Sequence, residues 1–230
     1  MSESPPRRLP RGRYALSRDE VERIQRSRLC VAMAEVMTEK GYVATSVEDV
    51  LKRAVISRQS FYQLFDSKLD CFMAAFDGAV EILLARLLET VGAGADGMPG
   101  PESPDAPMAR FEQALTAYLD ALAAEWPYAR LFLVEVYAAG PKAVQRRIEL
   151  QSGMSDTLAS LIGVTDEAGR YTCQIIIAAT STMVTRPVAE NDPDGLRAIG
   201  PPLIEHVRRL WECGAFGEGS GPKKGAGPKS

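Results

Sequence analysis

The chain has 230 residues, of which 46% are hydrophobic and 25% charged. That is ordinary globular composition with length enough to bury a core, and it excludes a wholly disordered or collagen-like chain. The formal net charge of −3 hides an asymmetry: residues 1–68 hold 13 Lys and Arg against 9 Asp and Glu, residues 69–213 hold 11 against 20, and residues 214–230 hold three Lys against one Glu. A basic front on an acidic body suggests two jobs, with an anionic partner at the front.

Residues 1–16 carry Pro5, Pro6, Pro10 and Gly12 with Arg7, Arg8, Arg11 and Arg13. Such a segment buries too little apolar surface to order itself and is expected to be a flexible basic arm. Ser17-Arg18-Asp19-Glu20 is a capping box opening the first helix, whose inner stripe is Leu29, Ala32, Met33, Val36 and Met37. Lys40 in the last turn and Gly41 just past it suit its end. A short second helix is capped by Thr45 or Ser46, since each has a carboxylate three residues on (Glu48 and Asp49). Its inner stripe is Val47, Val50, Leu51 and Ala54. A third helix starts at Ser57, with Ile56 and Phe61 at the two positions of a hydrophobic staple. Phe61, Leu64 and Phe65 point inward, leaving Arg58, Gln59, Tyr62 and Gln63 mainly outward.

A fourth helix is expected from near Ser67 to about Val91. The breaker-rich stretch 92–107 follows, then helices at about 107–125, 127–139, 141–162, 166–190 and 196–213. Pro187 is expected to end or kink the long helix at its close. Residues 214–230, GAFGEGSGPKKGAGPKS, are expected to be a disordered tail. No segment alternates like a strand, so the expected fold is all-α. It comprises an N-terminal three-helix domain over 17–66 and a second helical domain over 67–213.

The informative stretch is 45–68, TSVEDVLKRAVISRQSFYQLFDSK. Two short helices joined by a turn of about three residues have the spacing of a helix-turn-helix, whose second helix lies in the major groove of DNA. Arg58 can donate a bidentate pair to guanine and Gln59 to adenine. Thr45, Ser46, Ser57, Ser60 and Tyr62 offer hydroxyls to phosphate oxygens, Gln63 lies on the same outward face, and Lys68 is a point charge at the start of the next helix. Helix N-termini add amide donors.

Over residues 24–78 the chain resembles the TetR family of transcriptional regulators. The resemblance rests on Gly41-Tyr42, Thr45-Ser46-Val47-Glu48-Asp49-Val50, Ile56-Ser57, Phe61-Tyr62-Gln63-Leu64-Phe65 and Ser67-Lys68, in that order. It implies an all-helical homodimer that binds a palindromic operator with its N-terminal domain and a small-molecule effector with its C-terminal domain. It places Thr45, Tyr62 and Lys68 at phosphate-contacting positions, Arg58, Gln59 and Ser60 on or near base-reading ones, and the arm before Tyr14 along the minor groove. One departure stands out. The family's turn usually has Gly after the Ala, and Val55 takes that place here. If a positive φ is needed there, a β-branched residue costs about 1–2 kcal/mol.

Beyond residue 80 the sequence is less specific. Tyr118, Trp126, Tyr128, Tyr137, Tyr171 and Gln174 are candidate pocket linings on the middle helices. Glu135 lies in the apolar run Leu131-Phe132-Leu133-Val134-Glu135-Val136-Tyr137, where an unpaired buried carboxylate is costly. It faces a pocket, pairs with an arginine, or points to solvent at a helix edge. Ile175, Ile176, Ala179, Met183, Leu203, Val207, Leu210 and Trp211 are read as a dimer seam built from the last two helices.

Cys30, Cys71, Cys173 and Cys213 lie far apart without CxxC spacing and read as small buried residues, and His206 is the single histidine. No metal or cofactor is expected. No apolar run approaches the roughly 18 residues of a membrane span, and MSESPPRRLPRGRY has no apolar stretch behind its charge, so no membrane contact and a cytoplasmic location are expected. GxSxG, a P-loop and aspartate-rich motifs are absent. The expectation is therefore a ligand-responsive repressor, with a helical enzyme of unrecognised site as the alternative and a protein-binding helix-turn-helix as a third reading.

Overall fold

The computed structural model describes residues 17–93, 103 and 105–217. Among these the secondary structure is helical throughout. It comprises α1 (Arg18–Ala44), α2 (Val47–Ala54), α3 (Arg58–Leu64), α4 (Lys68–Ala93), α5 (Ala106–Ala124), α6 (Trp126–Arg130), a π-helical turn (Leu131–Glu135), α7 (Val136–Ala139), α8 (Pro141–Ile162), α9 (Glu167–Glu190), α10 (Pro193–Ala198) and α11 (Gly200–Glu212).

The first three helices form because their ends are chemically marked. Ser17 and Glu20 close a reciprocal capping box on α1, and Ser46 and Asp49 close another on α2. The Ser57 hydroxyl accepts from the Ser60 amide at the start of α3. Each cap satisfies amides that a helix start leaves open, and losing one costs about 1 kcal/mol. Leu29, Ala32, Met33 and Met37 of the α1 stripe share one core with Val50, Ala54, Phe61 and Phe65, and Val36 is buried as well. Arg28 donates to the Ala54 carbonyl (2.5 Å) and Arg26 to the Leu64 carbonyl (3.3 Å), so α1 caps the C-termini of both α2 and α3.

A line of aromatic rings continues this core into the second domain. Tyr42 meets Phe72 edge-on at 5.2 Å, Phe72 meets Phe76 at 6.2 Å, and Phe76 meets Phe132 at 5.3 Å. The long helix α4 thus belongs to both domains. In the second domain α5 packs on α4, α8 and α11 pack on α5, α9 packs on α8, and together they bury Phe111, Leu115, Leu158, Cys173, Val184, Leu203, Val207 and Trp211.

Val55 caps α2 in the left-handed conformation, φ 54° and ψ 51°, with its side chain 78% exposed. The turn does need a positive φ, and here a β-branched residue supplies it without any burial to offset the strain. Val55→Gly is expected to raise stability by about 1 kcal/mol, because the larger unfolded-state entropy of glycine removes part of the relief. For a chain of this size that is roughly 2–4 °C in Tm, with operator binding unchanged. A lower Tm would show that the turn holds valine without strain.

Several sequence expectations are corrected. Pro187 lies inside α9, which runs three residues past it to Glu190 and stops where Asn191 turns left-handed, so the proline is not itself the last residue of the helix. The segment expected as one helix over 127–139 contains the π turn, and the one over 196–213 is two helices, α10 and α11. The tail begins later than expected: Phe216 is buried, its ring 5.7 Å from Trp211, and the Thr172 hydroxyl donates to the Ala215 carbonyl. The expected disorder of the remaining tail and the basic arm 1–16 lie outside the described residues. Of the expected dimer seam, Ile176, Leu203, Val207 and Trp211 are buried within their own chain.

Candidate nucleic-acid interface

The outward face of α3 is built by elimination. Phe61 and Phe65 anchor the helix in the core, so Arg58, Gln59, Tyr62 and Gln63 are turned out and exposed. Among the described residues Arg58 and Gln59 make no hydrogen bond or ion pair, which leaves a planar guanidinium and an amide presenting all their donors to solvent. Tyr62 is 50% exposed with its ring edge-on to Phe61 at 5.3 Å, a contact that fixes the ring while the hydroxyl points away. The hydroxyls of Ser57 and Ser60 lie 2.9 Å apart at the N-terminus of the helix.

Several other cations of the front domain are engaged internally. Arg53 pairs with Glu35 and Glu39, Lys40 with Asp49, Lys52 with Glu48 and Arg18 with Glu22. The Lys40 ammonium and the Ser46 backbone amide hold the Asp49 carboxyl well below the usual carboxylate range.

Three sequence-assigned residues sit differently from expectation. Thr45 is 2% exposed and its hydroxyl donates to the Gly41 carbonyl at 2.7 Å, so it locks the end of α1. Ser46 is exposed, yet its hydroxyl is shared between capping the Asp49 amide and donating to the Asp49 carboxylate. Lys68 donates to the Tyr42 and Thr45 carbonyls, both at 2.9 Å, with its ammonium 4.1 Å from the Tyr42 ring centre. Partial burial lowers its pKa. An ammonium has three donors, so one remains for an outside acceptor.

In the C-terminal domain the expected lining residues divide. Tyr118, Trp126 and Tyr128 pack against the core. Burial pushes the Tyr118 hydroxyl pKa up to about 12, and the Trp126 indole nitrogen is buried without an acceptor among the described residues. Tyr137, Tyr171 and Gln174 face outward, so the six residues do not share one pocket. A groove of about 510 Å³ between α5 and α11 is lined by other residues, among them Glu112, Asp120, Arg197 and Arg208. Glu135 is 5% exposed and lies 3.2 Å from the Arg130 Nε, so of its three open destinations the structure shows the arginine.

Two arginines were missed by sequence reading. Arg130 joins Glu135 to the end of α9. Arg147 is 4% exposed and donates to the Phe132 and Leu133 carbonyls and to the Ser181 hydroxyl. Neither has a local signal, because the acceptors come from other helices.

The sequence model described as "Bacterial regulatory proteins, tetR family" matches residues 30–75, the segment from mid-α1 into α4. "Transcriptional regulator AcuR" of Cereibacter sphaeroides is 31% identical over 162 residues, 70% of this chain and 64% of that one. "HTH-type transcriptional activator FasR" of Mycolicibacterium smegmatis is 24% identical over 147 residues, 64% of this chain and 61% of that one. Each match spans less than two thirds of the relative's length. In fold the chain is similar to the fatty acid degradation regulator FadR from Bacillus halodurans, with TM-score 0.62, 18% identity and coverage of 80% of this chain and 94% of that one. It is also similar to a TetR-like regulator from Rhodococcus sp. RHA1, with TM-score 0.59, 17% identity and coverage of 85% and 99%. The capped helix pair, the ordered motif it carries and these matches agree: the chain belongs to the TetR family of bacterial regulatory proteins.

Proposed function

We propose that this protein is a sequence-specific, ligand-responsive transcriptional repressor that binds a palindromic operator as a homodimer. The observation that carries this reading is the outward face of α3, where Arg58, Gln59 and Tyr62 stand exposed, the first two without a hydrogen bond or ion pair among the described residues, on a helix fixed from behind by Phe61 and Phe65. Family membership removes the helical-enzyme alternative.

A palindrome needs two reading heads about one DNA turn apart, roughly 34–36 Å. The exposed apolar side chains of α9, Tyr171, Ile175 and Met183, with Ile148 of α8, supply a face for a second copy. By contrast α11 exposes Glu205, Arg208, Arg209 and Glu212, so α9 is the apolar part of the seam and α11 at most its polar rim. The effector site belongs to the C-terminal domain, near Tyr118, Trp126 and Tyr128. A molecule that prefers another spacing of the heads shifts the population away from the DNA-competent form.

The test is a mobility-shift titration with DNA from around the protein's own gene. A shift that is selective for sequence and weakens steeply between low and moderate salt is expected, because phosphate neutralisation releases counterions. A shift that random duplex competes away equally well overturns the proposal.

A further inference from the structure

α1 is interrupted at Gly41, whose φ of 75° and ψ of 163° are open only to glycine. The break turns the next amide, that of Tyr42, out of the helical ladder. It is met by a side chain 93 residues away: Glu135 Oε2 accepts from the Tyr42 N–H at 2.7 Å. The same oxygen lies 3.4 Å from where a Cβ on Gly41 would stand, so the carboxylate rests directly on the break. The Tyr42 carbonyl on the other side accepts from Lys68 and from the Thr45 amide. Ser46, the cap of α2, follows at once. The peptide that sets the entry of the helix-turn-helix is therefore held by a carboxylate of the C-terminal domain.

That carboxylate is in turn seated by the dimerisation side of the molecule. Arg130 Nε stands 3.2 Å from Glu135 Oε1, though off the hydrogen-bond direction, and its Nη1 donates to the Val188 and Ala189 carbonyls in the last turn of α9. Glu135 closes the π turn, where the extra residue per turn displaces the side chain from ordinary helical register. Arg147 holds the carbonyls of that turn and reaches Ser181 of α9. A continuous polar chain thus runs from α9 through Arg130 and Glu135 to the Tyr42 amide.

We infer that Glu135 is a positioning residue for operator binding, the group through which displacement at the end of α9 reaches the angle of the reading helix. The inference rests on the DNA-binding reading above and adds to it the route between domains. Cutting the chain at Arg130 and cutting it at Glu135 have the same consequence, and cutting both has little more.

The experiment is a double-mutant cycle on the full chain with Glu135→Gln, Arg130→Met and the pair, each read by operator affinity and by amide exchange at Tyr42. Each single variant is expected to bind operator about five- to tenfold more weakly and to exchange the Tyr42 amide about fivefold faster, and the double variant to resemble the weaker single. Multiplying losses in the double variant overturn the inference, as does unchanged affinity with a lowered melting temperature, which marks Glu135 as structural cement. Should Glu135→Gln fail to fold, Arg130→Met alone decides: an unaltered Tyr42 amide overturns the relay, and an accelerated one supports it. Should the wild-type protein select no DNA sequence, the functional reading fails, while the Tyr42 response to Arg130→Met still tests the route.

Discussion

Alanine at Arg58 or at Tyr62 is expected to weaken operator binding at least about tenfold while the fold survives. A bidentate arginine–guanine pair contributes about 1–3 kcal/mol per half-site, and a symmetric dimer loses two of them. The two losses should differ in kind. Without Arg58 the protein relaxes its preference at one base position in each half-site and binds less steeply with salt. Without Tyr62 affinity falls evenly across sequences, and the salt dependence stays as it was, because a neutral phenol releases no counterion. The structural costs are small. Arg58 makes no hydrogen bond or ion pair among the described residues, and Tyr62 gives up one edge-on contact with Phe61, about 0.5–1.5 kcal/mol. Lys52→Ala is the control: an exposed lysine of the same domain already paired with Glu48 should change affinity little. Equal weakening by all three variants would reduce the interface to general charge attraction, and a collapse of the melting curve for Arg58→Ala would show that this side chain holds the fold and not DNA.

The front domain was legible in the sequence because its instructions are local. Ser17, Ser46 and Ser57 each meet an amide three residues on, and Phe61 and Phe65 fix by periodicity which side of α3 remains outside. Even the conflict at Val55 was visible, since a helix stop in the left-handed region is a property of the turn and not of distant packing. Direction was harder to read than inventory. Thr45 and Ser46 looked equivalent as caps and as phosphate donors, and only the break at Gly41 decides that one is buried beneath the other. Lys68 stands at the start of α4 as read, but the carbonyls that absorb two of its donors belong to the end of α1. The π turn left no mark, because one extra residue in an apolar run alters register without altering composition. Phe216 was hidden among glycines, where counting helix breakers overlooks a single ring that finds Trp211. The candidate pocket residues were the least legible. Helical periodicity says which residues leave a helix on one face, and nothing about whether that face meets its own core, a pocket or a second chain.

Arg147→Met tests the other long-range element and is expected to be among the most destabilising single changes in the C-terminal domain. Methionine keeps much of the volume but takes a charged donor away from the buried Phe132 and Leu133 carbonyls, and a hydrogen bond to a charged group contributes about 1.5–3 kcal/mol. Burial of the guanidinium works the other way. It pulls the Arg147 pKa down, no carboxylate ion-pairs with it among the described residues, and removing a buried cation recovers that desolvation. The aromatic faces of Phe132 and Tyr137, 5.6 and 5.0 Å from the guanidinium carbon, lessen that penalty in the wild type. The net expectation is a loss of about 2–4 kcal/mol, or roughly 5–15 °C in Tm. Lysine should not rescue it, because a single ammonium cannot span two carbonyls on the π turn and a hydroxyl on α9 in the fixed geometry of the guanidinium fork. Amide exchange localises the effect: protection should fall first over 131–136, where the lost donors leave the π turn without its outer support. A methionine variant as stable as the wild type would mean that desolvation of the cation outweighs both carbonyl bonds, and that the π turn is held by packing of Leu131, Phe132 and Leu133 alone.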